Sequence, residues 1–191
     1  TLKIGDKKLA MLLADLQGTD TTAFKAAGEY LVYMHPDSLD KTTILKALQA
    51  PFPLDTTGYR RVQLLVNLEE MADDTIVGAT EYLFTTVKDT GLRIELLSFL
   101  SGLPLDTAMQ TFIRLAAAIP EDNEINDNIF SYAMEDNGMQ EKYLPAIIAA
   151  AEKSGSLLQQ FVVHFNEDSI WRAPGFEKYG LEKLAPGMVQ L

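Results

Sequence analysis

The chain has 191 residues, 47% of them hydrophobic and 23% charged, a balance that argues against disorder and supplies enough apolar side chain for a real core. Acidic residues outnumber basic ones, 27 to 16, for a net charge of −11. That sign disfavours a nucleic-acid backbone or an anionic membrane surface as ligand and favours a basic or neutral protein partner. With no cysteine, a disulfide scaffold, a Cys-ligated zinc site and a thiol nucleophile are all excluded. The same absence suits a bacterial cytoplasmic or periplasmic protein. No apolar run approaches the ~20 residues that span a bilayer; those at 115–119 and 147–151 are helix faces. The first residue is Thr1, with neither Met nor a signal-like segment, as expected for a processed chain or a piece of a longer one.

Helical periodicity runs through the chain in a paired order. The predicted spans are roughly 4–16 and 20–34, 39–50 and 57–71, 73–88 and 90–102, 105–119 and 121–135, and 143–152 and 155–165. Ile76, Ala79, Leu83 and Val87 make one stripe; Leu92, Leu96, Phe99, Leu100 and Leu103 make a second. Met109, Phe112, Ile113, Ala116 and Ile119 make a third, and spacings of three and four place each set on one helix face. Asp37 with Ser38, Asp73 with Asp74, Asp106 with Thr107 and Glu121 with Asp122 stand where helices begin, as capping groups. Pro36, Pro51, Pro53, Pro104 and Pro120 fall at the breaks, as do Gly91, Gly138 and Gly155. Pro145 is tolerable only in the first turn of its helix. No strict alternation occurs, so the fold class is all-α. Beyond Phe165 the pattern changes, and 166–191, which holds Trp171, reads as a capping segment on a helical domain at 1–165.

The segment from Arg61 recurs from Arg93, 32 residues on. The same offset carries Leu64 to Leu96, Leu65 to Leu97, Leu68 to Leu100, Asp74 to Asp106 and Leu83 to Leu115. A recurring apolar skeleton predicts stacked repeats, here a right-handed α–α superhelix of about five helix pairs. Asp55 followed by Arg61 and LLVNL, and Asp89 followed by Arg93 and LLSFL, resemble HEAT repeats. That resemblance implies a binding scaffold in which Asp55, Arg61, Asp89 and Arg93 form a ladder between neighbouring repeats. The Asp–Arg spacing departs from regularity, six in one case and four in the other. Lys25 and Ile125 or Asn126 stand where outer repeats would carry Arg, and 73–88 and 105–119 lack a kinking Pro. A tetratricopeptide array of ~34-residue repeats is the rival, but its Trp–Leu–Gly–Tyr signature is missing.

Catalytic motifs are not found. His35 and His164 lack a second histidine at metal-binding spacing, and no HExxH, GxSxG or phosphate loop occurs. Residues 120–141 hold Glu121, Asp122, Glu124, Asp127, Glu135, Asp136 and Glu141 without a Lys or Arg. They read as a solvated face, a surface steering a basic partner, or an oxygen-ligand cation site. An EF-hand from Asp122 fails, because Asp127 and Ala133 stand where Gly and Glu are needed. No catalytic residue, metal ligand or cofactor is assigned. The expected function is a non-catalytic protein-interaction scaffold that uses the concave face lined by second helices, with Tyr30, Tyr33, Tyr59 and the exposed cation Arg60 as contacts. The alternative is a helical accessory or catalytic domain of a larger enzyme, with acids such as Glu135 and Asp136 at its site. Arg61 is expected to be a structural rung, and Arg60, turned ~100° round the helix, to face elsewhere and tolerate Ala.

Overall fold

Aspartate side chains start most of the helices. A computed structural model describes residues 6–33 and 40–118, together with 142, 143, 146 and 149. Among the described residues there are seven α-helices and no strand, so the chain is all-helical there. They are α1 (Asp6–Gln17), α2 (Thr21–Leu31), α3 (Lys41–Leu48), α4 (Tyr59–Val66), α5 (Asp74–Thr86), α6 (Thr90–Gly102) and α7 (Asp106–Ala117), with a 3-10 turn at Glu69–Met71. Residues 143, 146 and 149, inside the span expected at 143–152, are helical. The helices expected at 121–135 and 155–165, and the segment 166–191 with Trp171, lie outside the described residues.

Asp20 accepts from the N–H groups of Thr22 (2.8 Å) and Ala23 (3.1 Å) and so begins α2. Asp40 does the same for α3 through Thr43 (2.7 Å), Asp73 for α5 through Thr75 (3.1 Å), and Asp89 for α6 through Leu92 (3.0 Å). Each cap satisfies backbone donors that have no partner within the helix, a contribution of about 1 kcal/mol. Helix α3 starts at Lys41, behind Asp40, two residues later than the periodicity predicts. The span expected at 57–71 is broken after Val66. There Asn67 ends α4 and sends its Nδ2 to the Leu31 carbonyl (3.2 Å), and the chain continues as the 3-10 turn.

The chain divides into two compact units, Thr1–Leu96 and Leu97–Leu191. In the first, α1 packs on α2, α2 on α4, α3 on α4 and α5, and α4 on α5. The apolar stripes supply its core, including Leu16, Leu31, Ile44, Leu64, Leu65 and Leu68, which are essentially inaccessible to solvent. Full burial of each such side chain contributes about 2 kcal/mol. Polar contacts also span long stretches of sequence. Gln17 Nε2 donates to the Ala47 carbonyl (3.1 Å), Asn67 to Leu31 as above, and Lys41 Nζ to the Asp73 carboxylate.

The Lys41 hydrogen bond, then that of Thr75, hold the Asp73 carboxyl down to about 2, below its ordinary 3.8. Because the folded value is the lower one, the unfolded chain binds more protons between these two values. The stabilisation is present above pH 3.8 and is lost as pH falls through about 2. Asp73→Asn should therefore flatten the acid limb of melting temperature against pH between about 4 and 2. An acid limb identical to wild type would mean that the Lys41–Asp73 pair is idle.

In the second unit α7 buries most of its circumference, through Ala108, Met109, Phe112, Ile113, Leu115 and Ala116. Asp106 departs from its expected role. The N-cap residue of α7 is Leu105, which makes no side-chain cap bond, and the Asp106 carboxylate instead accepts from Lys142 Nζ and the Tyr143 hydroxyl. Lys142 holds the Asp106 carboxyl below the usual range, whereas burial, then the Asp106 bond, pushes the Tyr143 phenol up. An acid at a helix start can serve its own backbone or a neighbour, and packing selects the neighbour here.

Candidate functional site

Tyr30 lies in the last turn of α2 and Tyr33 follows just beyond it, three residues on and so on the same side of the chain. Tyr59 is the first residue of α4. All three are exposed, Tyr30 by 53%, Tyr33 by 71% and Tyr59 by 44%, whereas Phe52, Phe84, Phe99 and Phe112 are buried in the core. Apolar packing claims the phenylalanines, and the phenol oxygen of tyrosine makes its ring tolerable at the surface.

The Tyr59 ring is held in place. Its hydroxyl accepts from Gln63 Nε2 (3.0 Å), and Gln63 Oε1 accepts from Arg60 Nη1 (2.7 Å). Arg60 places its guanidinium carbon 5.2 Å from the Tyr59 ring centre, and the same Nη1 donates to the Gly28 carbonyl of α2 (3.2 Å). The expectation of a free, exposed Arg60 is corrected by these contacts. Arg60 is half-buried and ties α4 to α2, so it holds the aromatic surface together. A Cβ at Gly28 would lie 2.4 Å from the Arg60 guanidinium carbon, so this close approach requires glycine.

Arg60→Ala should accordingly cost about 1–2 kcal/mol, the loss of two hydrogen bonds in partly buried surroundings. Gly28→Ala should be nearly neutral in the wild type, because the displaced Arg60 offsets about 1 kcal/mol of gained helix propensity. In the Arg60→Ala background the same change should stabilise by about that amount. A urea-denaturation cycle checks this; strict additivity would show that Arg60 and Gly28 are not coupled.

Arg61 also differs from the ladder that the resemblance implies. Its Nε donates to Asp55 Oδ2 (3.3 Å), and Asp55 also accepts from the backbone N–H of Arg60 and of Arg61 (3.1 Å each). The pair closes one turn and caps α4 from outside, and Arg60 carries the contact to the neighbouring helix. No ion pair joins Asp89 to Arg93. The Arg93 guanidinium lies over the Phe84 ring at 4.4 Å, and its buried Nε has no hydrogen-bond partner among the described residues.

Grooves accompany the exposed tyrosines. One of about 300 Å³ runs between α1 and α2, with Ala26 and Ala27 beside Met11 and Tyr30. Another of about 490 Å³ runs between α3 and α5, with Gly78 and Ala79 beside Tyr82. Both contain a pair of small residues followed three to four positions later by tyrosine, a pattern present in the sequence but not recognisable as a groove without the packing. Met11, Val32 and Tyr82, 61%, 65% and 45% exposed, are exposed apolar residues outside the contacts expected from sequence.

Among the described residues no group of three His, Asp or Glu side chains could hold a metal ion, and no helix is long and apolar enough to cross a membrane. His35, His164 and the acidic segment 120–141, with Glu135 and Asp136, lie outside the described residues. Comparison with known protein families, with curated proteins and with solved structures returns no match.

Proposed function

We propose that the chain is a non-catalytic protein-interaction scaffold, a HEAT-like stack of helix pairs, that engages a basic or neutral protein through Tyr30, Tyr33 and Tyr59, with Arg60 holding that surface together. The observation that carries this reading is the exposure of three tyrosines, two at the end of α2 and one at the start of α4, the last fixed by the Gln63–Arg60 network. Tyrosine supplies a large amphipathic contact with few torsions to freeze, which is why it concentrates in binding hot spots. The contacts of α2 with α4 and of α3 with α5 join like members of successive pairs and support the stack, as does the 32-residue recurrence in sequence. The net charge of −11 supports a partner of opposite sign.

A photo-cross-linking amino acid placed at Tyr33 or Tyr59 should capture the same protein from native extract. The same group at Thr42, exposed on α3, should capture none of it. Truncating Tyr30 and Tyr33 to alanine should weaken that partner at least about 10-fold. Equal capture from Thr42, or none from either tyrosine position, would overturn the proposal.

A further inference from the structure

The stripe on α1 beside the α1–α2 groove has a symmetry of charge that the proposed scaffold role does not use. Lys8, Met11, Leu12 and Asp15 line that groove from α1, and Ala26, Ala27 and Tyr30 line it from α2. Spacings of three, four and seven put the α1 residues on one helix face. Lys8 and Asp15 are both exposed, and neither makes an ion pair or side-chain hydrogen bond among the described residues. Met11, between them, leaves 61% of its surface open to solvent. An apolar centre is therefore flanked by a cation on one side and an anion on the other, about 10 Å apart along the axis.

Such a pattern is its own complement. If α1 lies antiparallel to another α1 across a two-fold axis near Met11 and Leu12, each Lys8 comes opposite an Asp15 and the two methionines meet at the centre. A two-fold interface requires this reciprocity, in which one residue contacts a second and the second contacts the first. The small side chains of Ala26 and Ala27 leave room for the facing Met11, whose unbranched chain adapts to irregular gaps. We infer that the α1–α2 groove is the docking site for a second copy of this chain, held antiparallel by reciprocal Lys8–Asp15 pairs around a Met11–Tyr30 centre. Two copies at −11 each repel at long range, so the apolar centre supplies the attraction and the paired charges set the register.

Sedimentation velocity of the full chain in ~150 mM salt tests this, over concentrations up to about 500 µM, a range that covers weak association. The wild type should dimerise with concentration. Lys8→Glu and Asp15→Lys should each weaken the dimer at least about 10-fold, since each places two like charges opposite each other. Mixed in equal amounts, these two variants should form a heterodimer. The introduced glutamate of one chain then faces the introduced lysine of the other, and the native Asp15 faces the native Lys8. Met11→Glu should abolish association. Circular dichroism checks that each variant is folded; the double variant Lys8→Glu with Asp15→Lys in one chain keeps the net charge, should dimerise like wild type, and serves if a single variant is not folded. A wild type that stays monomeric throughout, single variants that associate normally, or a mixture that fails to restore the dimer would each overturn the inference. None of these outcomes depends on Tyr33 or Tyr59 contacting another protein, so this inference and the scaffold proposal can fail separately.

Discussion

Asp55→Ala is expected to lower the unfolding free energy by about 2–4 kcal/mol, one of two effects centred on the turn that starts α4. Its carboxylate is 3% exposed and accepts three hydrogen bonds, from the backbone of Arg60, the backbone of Arg61 and Arg61 Nε. Losing the cap costs about 1–2 kcal/mol. The Arg61 guanidinium, on a side chain only 19% exposed, then remains without its anion, which adds about 1–2 kcal/mol. Asp55→Asn keeps an acceptor oxygen for one of the two backbone donors, which sit on different carboxylate oxygens, and should cost about half as much. Arg61→Ala removes the ion pair and leaves the cap, so it should be milder than Asp55→Ala. Urea denaturation of the three variants reads out this order, and an Asp55→Ala loss below about 0.5 kcal/mol would show that the turn is held by something else.

Gly58→Ala should cost about 3 kcal/mol, for two separable reasons. Gly58 has φ +93° and ψ 3°, a left-handed conformation that costs an L side chain about 1–2 kcal/mol. An added Cβ would also lie 2.7 Å from Val87 Cγ2, and Val87 is 4% exposed with little freedom to withdraw. Overpacking of that kind costs about 1–3 kcal/mol. Val87→Ala removes the clash and leaves the backbone strain. In that background Gly58→Ala should cost about 1 kcal/mol less than in the wild type. The thermal or urea cycle that shows no such coupling would remove Val87 from the explanation.

This turn illustrates why parts of the molecule are readable before it folds. Capping acts within three residues, and an apolar stripe repeats within one helix turn, so Asp73 ahead of Ile76, Ala79 and Leu83 identifies α5 without knowledge of its neighbours. The spans read from sequence at 90–102 and 105–119 are α6 and α7 to within two residues at each end. Where local signals compete, sequence reading slips. The sequence reading places the start of α3 at Asp37 with Ser38, whereas the structure caps it with Asp40. The exposure of Tyr30, Tyr33 and Tyr59 follows from their phenols and from the phenylalanines that fill the core in their place.

The sequence alone determined the all-α class and the approximate positions of the seven described helices, because these depend on capping and periodicity within a few residues. Tertiary structure decided which of two adjacent arginines reaches the next helix. Arg60 does so because Gly28, 32 residues earlier, has no Cβ and exposes its carbonyl to the guanidinium. It also decided that Lys41 pairs with Asp73 and that Asp106 serves Tyr143 and Lys142 in preference to its own helix end. The grooves beside Met11 and Tyr82 belong to the same class. Each depends on two helices meeting at a particular rotation about their axes, and that rotation is set by the packing of whole faces, which no local spacing encodes.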